Sequence, residues 1–260
     1  MVPQTIRNYL SGVRVLHIFH GLPFSHSNDF LLQLELRGIA RLDPHVPVRA
    51  IPVTPSVLQS FYSHMNHEDS LHSCVWACSL LCFFTMARLG SILPSGKTSD
   101  LHTILTRNRV NFSKEGLLIT LLHTKTIQFG RRRLHIPLVR NQSLLCPVQA
   151  YEHLLAHLEG DVEGPAFVFS KKGETKWLTR SIFITTFRAV LSSGGIQDAS
   201  AFTGHSFRRG GATWAFQAGI PGELIQICGD WVSDAYKRYL EFSMNDKLNL
   251  AAQLVRHLPQ

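Results

Sequence analysis

The sequence predicts a mainly α-helical fold with one small antiparallel β-sheet, an α+β chain. Two observations carry that expectation. Apolar residues recur at helical spacing through most of the 260 residues, and the period shifts to strand-like runs between Asn111 and Val139, where GLLITLL and RRLHIPLV flank a basic turn. A hydrophobic content of 45% supplies enough apolar surface for one large core and a smaller unit.

The composition narrows the partners. Lys and Arg number 26 against 18 Asp and Glu, a formal charge of +8, which suits a polyanion. The five cysteines follow neither disulfide nor zinc spacing and point to a reducing compartment. Cys74, Cys78 and Cys82 would line one helix face; without histidine or carboxylate partners at ligand spacing they read as core, and no metal is expected. The first residues, MVPQTIRNYL, lack the basic-then-apolar order of a signal peptide. The most apolar run, Cys74 to Ala87, falls short of the about 20 residues of a membrane span. The expectation is a soluble chain that engages no membrane.

In chain order, Ile6, Tyr9, Leu10, Val13 and Leu16, then Phe30, Leu31, Leu34 and Ile39, follow helical spacing and predict two or three short helices up to about Arg41. Leu42 to Pro55 holds four prolines and reads as a linker, dividing the chain into units 1–45 and 46–260. Thr54 as N-cap and Pro55 in the first turn open a helix through about Met65. The next helix, Leu71 to Ala87, is apolar nearly all round and belongs at the centre of the core. Arg88 follows it in MARLGSIL. An arginine among apolar residues needs an anion, and none is near in sequence.

A strand near Thr106 to Val110 and the two alternating runs make the sheet. Their connection, HTKTIQFGRR, carries Lys125, Arg131 and Arg132, with Arg133 just beyond. The three arginines fit a solvated turn or phosphate contacts. Pro147 begins a helix ending near Gly160, Ala166 to Ser170 is a short strand, and Thr179 caps a helix to about Leu191 that carries Arg180 and Arg188. Asn245 to His257 is an amphipathic helix, able either to dock on another copy or to fold back on its own domain.

The chemistry concentrates between Thr203 and Leu240, TGHSFRRGGATWAFQAGIPGELIQICGDWVSDAYKRYL. His205 and Arg208 lie three apart, so on a helix they share a face and suit a phosphate: a planar fork of donors beside an imidazole able to move a proton. Gly210 and Gly211 allow another backbone to come close. A second helix fits Gly222 to Cys228, and a third, capped by Ser233, sets Tyr236 and Tyr239 on one face. A tyrosine becomes a covalent nucleophile when its proton has a destination and its target is held in place.

The order His-x-x-Arg, Trp, Tyr resembles the carboxy-terminal signature of the tyrosine recombinases, the phage-integrase family. HSFRRGGAT and GDWVSDAYKRYL look like the versions found in eukaryotic DIRS, Ngaro and Crypton mobile elements. The resemblance implies a tyrosine-recombinase catalytic domain over 46–260 and a partial helical core-binding (SAM-like) DNA-binding domain over 1–45, where TIRNYLSGVR carries the likeness. It implies DNA strand cleavage and rejoining through a 3′-phosphotyrosine link, with no cofactor. Tyr239 would be the nucleophile and Tyr236 an alternative; Arg88 and Arg208 would clamp the phosphate, and Lys125 would protonate the leaving oxygen. His205 would take or relay the tyrosine proton, and Trp231 stands where many relatives have a second histidine. Arg131, Arg132, Arg133, Arg180, Arg188 and Arg209 would contact the DNA backbone. Ser91 occupies the position where the family's first motif has an acidic residue, which leaves open a domesticated DNA-binding protein with impaired chemistry. A protein-binding scaffold with a basic surface is a third reading. The resemblance further implies double-stranded DNA as partner, a homo-oligomer (a tetramer in synapsis) joined through the C-terminal helix, and a nuclear location in a eukaryote or a cytoplasmic one otherwise.

Overall fold

A computed structural model describes residues 3–24, 29–42, 50–127, 132–156, 161–240, 244, 248 and 251–252. Two compact units divide the chain, 1–49 and 50–260. The first contains helices α1 (Pro3–Phe19) and α2 (Phe30–Leu42), which pack on each other. Asp29 starts α2, its carboxylate accepting from the Leu31 amide at 2.9 Å. Two helices cannot enclose both of their apolar stripes, and here Leu36 is buried while Tyr9, Phe19 and Phe30 stay largely exposed.

The second unit is built around α4 (Ser70–Thr85). Asp69 caps it, accepting from the Leu71 and His72 amides. The helix is apolar on every side, so it has no solvent face to offer and is packed on by α6 (Pro147–Ala156), α7 (Arg180–Ser193), α8 (Gly204–Gln217) and α3 (Pro55–His64). Cys74, Cys78 and Cys82 are buried along it, and the sulfurs of Cys78 and Cys82 lie 3.9 Å apart. Burial pushes the Cys74 thiol far up, away from the reactive thiolate form.

Strands β1 (Val110–Phe112), β2 (Gly116–Leu121) and β3 (Leu134–Val139) form an antiparallel sheet in that order. Leu117 faces Leu138, Ile119 faces Ile136, and Leu121 faces Leu134. The alternation in GLLITLL turns one face of β2 into the core. Pro137 is tolerated because β3 is an edge strand with one row of hydrogen bonds to make. The mainly α fold with a small antiparallel sheet is therefore the one expected. The first strand begins later than the sequence indicates, because Arg107–Arg109 close a 3-10 turn before it. A second hairpin, β4 (Val168–Lys171) with β5 (Glu174–Trp177), turns through Lys172 and Gly173, both at positive φ. Its second strand is too polar to announce itself by alternation. Among the described residues no helix is long and apolar enough to cross a membrane. The expected helix Asn245–His257 falls outside the described residues except at three positions.

Helices α3 and α7 start as the sequence indicates. The hydroxyls of Thr54 and Thr179 accept from the Val57 and Ile182 amides at 3.3 Å each. Thr203 and Ser206 form a reciprocal capping box at the start of α8. On α8, a Cβ at Gly210 would overlap the Val53 carbonyl, and one at Gly211 the Phe83 carbonyl at the end of α4. Two backbones thus approach α8, and the Val53 amide donates to the Ser206 carbonyl at 3.0 Å. Replacing Gly210→Ala forces backbone apart rather than a flexible side chain; calorimetry should show a loss of about 1–3 kcal/mol, with a lower Tm.

Candidate active site

Arg208 is the centre of the site. It is 1% exposed, an unusual position for a guanidinium. The end of α4 puts it to use: Met86 takes the left-handed conformation, φ 51°, which turns the chain back and aims the Met86 carbonyl at Arg208 Nη1. On the other side the indole of Trp231 lies flat against the guanidinium, 3.7 Å from ring centroid to Cζ. Such a desolvated cation–π pair contributes about 2 kcal/mol. Nε and Nη2 of Arg208 have no hydrogen-bond partner among the described residues.

The remaining charges nearby are mostly positive. Burial first, and then the neighbouring charge of Arg88, lower the Arg208 pKa to about 9; Tyr239 and Asp230 act the other way. Arg208 therefore remains a cation at neutral pH. Arg88 is half-buried and precedes the short helix α5 (Leu89–Ile92). His205 opens to solvent one helical turn before Arg208. Desolvation, Arg208 and Arg88 all lower its pKa, so the imidazole is neutral at pH 7.

Two tyrosines share one short helix but not one environment. Residues Asp234–Tyr239 form a 3-10 helix, tighter than the α-helix expected, and Ser233 makes no side-chain cap. In a 3-10 helix residues three apart eclipse. Both rings consequently reach Trp231, with centroids 6.1 Å away for Tyr236 and 5.7 Å for Tyr239. Tyr236 is buried with its hydroxyl against Gly222, the start of α9 (Gly222–Cys228). Tyr239 is only partly buried, and its hydroxyl is near enough to Arg208 to act on the guanidinium's charge. Its backbone is anchored as well, since Thr213 Oγ1 on α8 donates to the Tyr239 carbonyl at 2.6 Å.

The other expected positions divide. Lys125 is exposed in the turn between the isolated bridge partners Thr124 and Ile127. Arg132 pairs with Asp230, and Arg133 is exposed. Arg180 is exposed at the first turn of α7, and its Nη1 comes within 3.4 Å of where a Cβ on Gly90 would sit, two residues from Arg88. Arg188 is partly buried, its Nε donating to the Phe202 carbonyl at 2.7 Å. Arg209 differs most from its expected place on a DNA backbone: it is 8% exposed and donates to the Ala50 carbonyl at 2.9 Å. One arginine of the Arg208–Arg209 pair thus faces the site while the other braces the 50–53 segment, because adjacent helical residues point about 100° apart. Arg131 lies outside the described residues.

Sequence reasoning passed over Asp230. It is 7% exposed at positive φ in the turn after α9. Thr124 Oγ1 donates to its Oδ2 at 2.6 Å, Thr126 Oγ1 donates to the same oxygen, and Arg132 Nη2 donates to Oδ1. Burial raises its pKa, but the three hydrogen bonds together outweigh burial and keep the carboxyl below its usual range. Ser91, also buried, lines the same cavity as Asp230, Arg88 and Arg208. Among the described residues no cluster of three or more metal-ligating side chains occurs.

This geometry can be set beside known proteins. No family model matches the chain. The integrase of Salmonella phage P22 is 35% identical over 71 residues, which are 27% of this chain and 18% of that protein. Among solved structures, the Tn1549 transposon integrase in complex with transposon right end DNA is similar with a TM-score of 0.60 and 16% identity, over 98% of this chain and 80% of the other. XerA recombinase gives 0.55 and 16%, over 100% and 84%. XerH site-specific recombinase, bound to palindromic difH substrate in a post-cleavage complex, gives 0.53 and 15% over 80% of this chain. The chain spans 54% of that protein. The chain thus has the α+β fold of these solved recombinases.

Proposed function

We propose that this chain cleaves and rejoins DNA through a covalent link between Tyr239 and a 3′-phosphate. The observation that carries the reading is the pair of unpartnered buried donors on Arg208, beside Arg88 and the Tyr239 hydroxyl. Leaving a buried charged donor without an acceptor costs about 1–3 kcal/mol or more. An anion entering the site would remove that cost, and a DNA phosphodiester brings two non-bridging oxygens to meet the two arginines.

The residues then divide the work. Tyr239 Oη attacks phosphorus, forming a P–O bond; its proton passes to neutral His205. The bond to the 5′ oxygen breaks, and that oxygen takes a proton from the Lys125 ammonium. Arg208 and Arg88 stabilise the charge that builds on the non-bridging oxygens of the pentacovalent transition state. Trp231 keeps the Arg208 plane and the Tyr239 ring in register. Rejoining runs the same steps backward with a different 5′ hydroxyl. The bond energy stays in the phosphotyrosine, so neither nucleotide nor metal is consumed.

One such site cuts one strand. Exchange of both strands between two duplexes takes four cuts, which is the reason to expect four copies on DNA, with the C-terminal helix as their connector. The first unit serves in this reading as part of a DNA-binding clamp, and Arg132, Arg133 and Arg180 line the approach of the phosphate backbone. The motif wording HSFRRGGAT and GDWVSDAYKRYL supports a mobile-element origin.

The experiment is adduct formation on nicked suicide duplexes. Wild type should form a covalent complex resistant to denaturation. Tyr239→Phe should lose it while binding DNA with unchanged affinity, and Tyr236→Phe should retain it. A Tyr236→Phe protein that forms no adduct while Tyr239→Phe still does would reverse the assignment.

The acid side of the rate profile tests His205. Its folded pKa lies below 6.5, so the neutral form needed to accept a proton persists into mildly acidic solution and is lost only as pH falls through that lowered value. Single-turnover cleavage should decline only below pH 6.5. In Arg88→Met one of the charges that disfavour the imidazolium is gone, and the His205 resonance followed by NMR should titrate at higher pH than in wild type.

A further inference from the structure

We infer that Asp230 is a positioning residue that fixes the Lys125 turn to the floor of the site. The inference rests on the proposed strand-cleavage reaction. The two residues flanking Lys125, Thr124 and Thr126, both donate their hydroxyls to Asp230 Oδ2, and Arg132, on the far side of the same connection, donates to Oδ1. One carboxylate therefore gathers both limbs of a connection that lies about a hundred residues away in sequence.

The anchoring is rigid at both ends. On the Asp230 side, its amide donates to the Ile227 carbonyl, the Trp231 amide donates to Gln226, and Gln226 Nε2 returns a bond to the Trp231 carbonyl at 3.2 Å. The carboxylate thus projects from the same turn that sets the Trp231 ring on Arg208. On the hairpin side, the Thr124 and Ile127 backbones pair with each other, and the Thr126 amide donates to Thr124 Oγ1 at 3.2 Å. A turn with two side chains tied down leaves the residue between them, Lys125, directed outward from a fixed base.

A carboxylate in a cationic site has another obvious use, direct pairing with the arginine that binds phosphate. Here both of its oxygens are engaged by the hairpin, while Arg208 keeps two donors unpartnered among the described residues. Asp230 touches no reacting atom in this arrangement. It acts through Lys125: with the turn held, the ammonium meets the leaving 5′ oxygen at little entropic cost, and with it released the acid has to be found by search. A displacement of about 1 Å in such a group lowers the rate on the order of a hundredfold.

The test combines one measurement without DNA and one with it. In Asp230→Asn, and independently in Thr124→Val/Thr126→Val, amide hydrogen exchange at residues 124, 126 and 127 should accelerate at least about tenfold, while amides of α4 and α8 keep wild-type rates. Unchanged exchange at the turn would overturn the clamp. Single-turnover cleavage is then compared on ordinary DNA and on DNA whose scissile 5′ oxygen is replaced by sulfur, a leaving group that departs without a proton. Both variants should fall at least tenfold on oxygen and recover to within about threefold of wild type on sulfur, as Lys125→Ala should. Asp230→Asn added to Lys125→Ala should cost nothing further on oxygen. A defect that persists on sulfur would sink the connection to Lys125. If wild type cleaves neither substrate, the strand-cleavage reading falls, and the exchange rates still decide whether Asp230 holds the turn.

Discussion

The burial of the Arg208 guanidinium is the constraint from which the rest of the second unit follows. A cation taken out of water has to be compensated on every side. The Met86 carbonyl and the Trp231 ring provide part of that compensation. Each required its own local device: a left-handed residue at the end of α4, and the tight Gly229–Asp230–Trp231 turn after α9, where a Cβ on Gly229 would collide with the Trp231 ring. Replacing the arginine by a hydrophobe would relieve the compensation, so stability alone does not account for it. An incompletely satisfied buried cation is what a site for a diesterified phosphate requires, because a fully paired guanidinium would have to give up a protein partner for each bond to substrate.

The fold and most of the cluster were legible in the sequence, and physics explains which parts. Helices α3, α7 and α8 begin at Thr-capped positions, α4 is apolar all round, and β2 alternates cleanly; each is a local pattern readable within one window. His205 and Arg208 were visible as a pair because a single helical turn connects them. The strand start before Val110, the polar strand β5 and the 3-10 form of 234–239 were not, since in each the backbone choice is made by tertiary packing over weak local preference. The division between Arg208 and Arg209 was equally hidden: two adjacent arginines are indistinguishable in sequence, and only the rotation of the helix decides which one enters the cluster and which reaches Ala50.

Asp230 shows a further limit of reading by motif. In GDWVSDAYKRYL the aspartate sits beside a tryptophan that draws the eye, and nothing within ten residues accounts for it. Its partners are Thr124, Thr126 and Arg132, residues that in sequence read as a basic turn with two incidental hydroxyls. The signal that could have found it is the polarity of the turn itself. Threonines on both sides of a lysine, at a turn that ought to be solvated, have hydroxyls to satisfy, and a carboxylate brought in from elsewhere in the chain is a natural acceptor.

The environments of the two tyrosines follow from the same economy of space around Trp231. A 3-10 helix eclipses residues three apart and so sends both rings to one side, yet the indole has room to bury only one of them fully. Tyr236 takes the interior position and closes the small cluster formed by Met86, Ala212, Ile225 and Trp231. Tyr239 is left at its rim, held by its backbone to Thr213 and reaching Arg208 with its hydroxyl. Packing thereby encloses one ring and leaves the other free for the proposed chemistry. The free one is the ring whose oxygen lies beside the charge that would stabilise it as a phenolate.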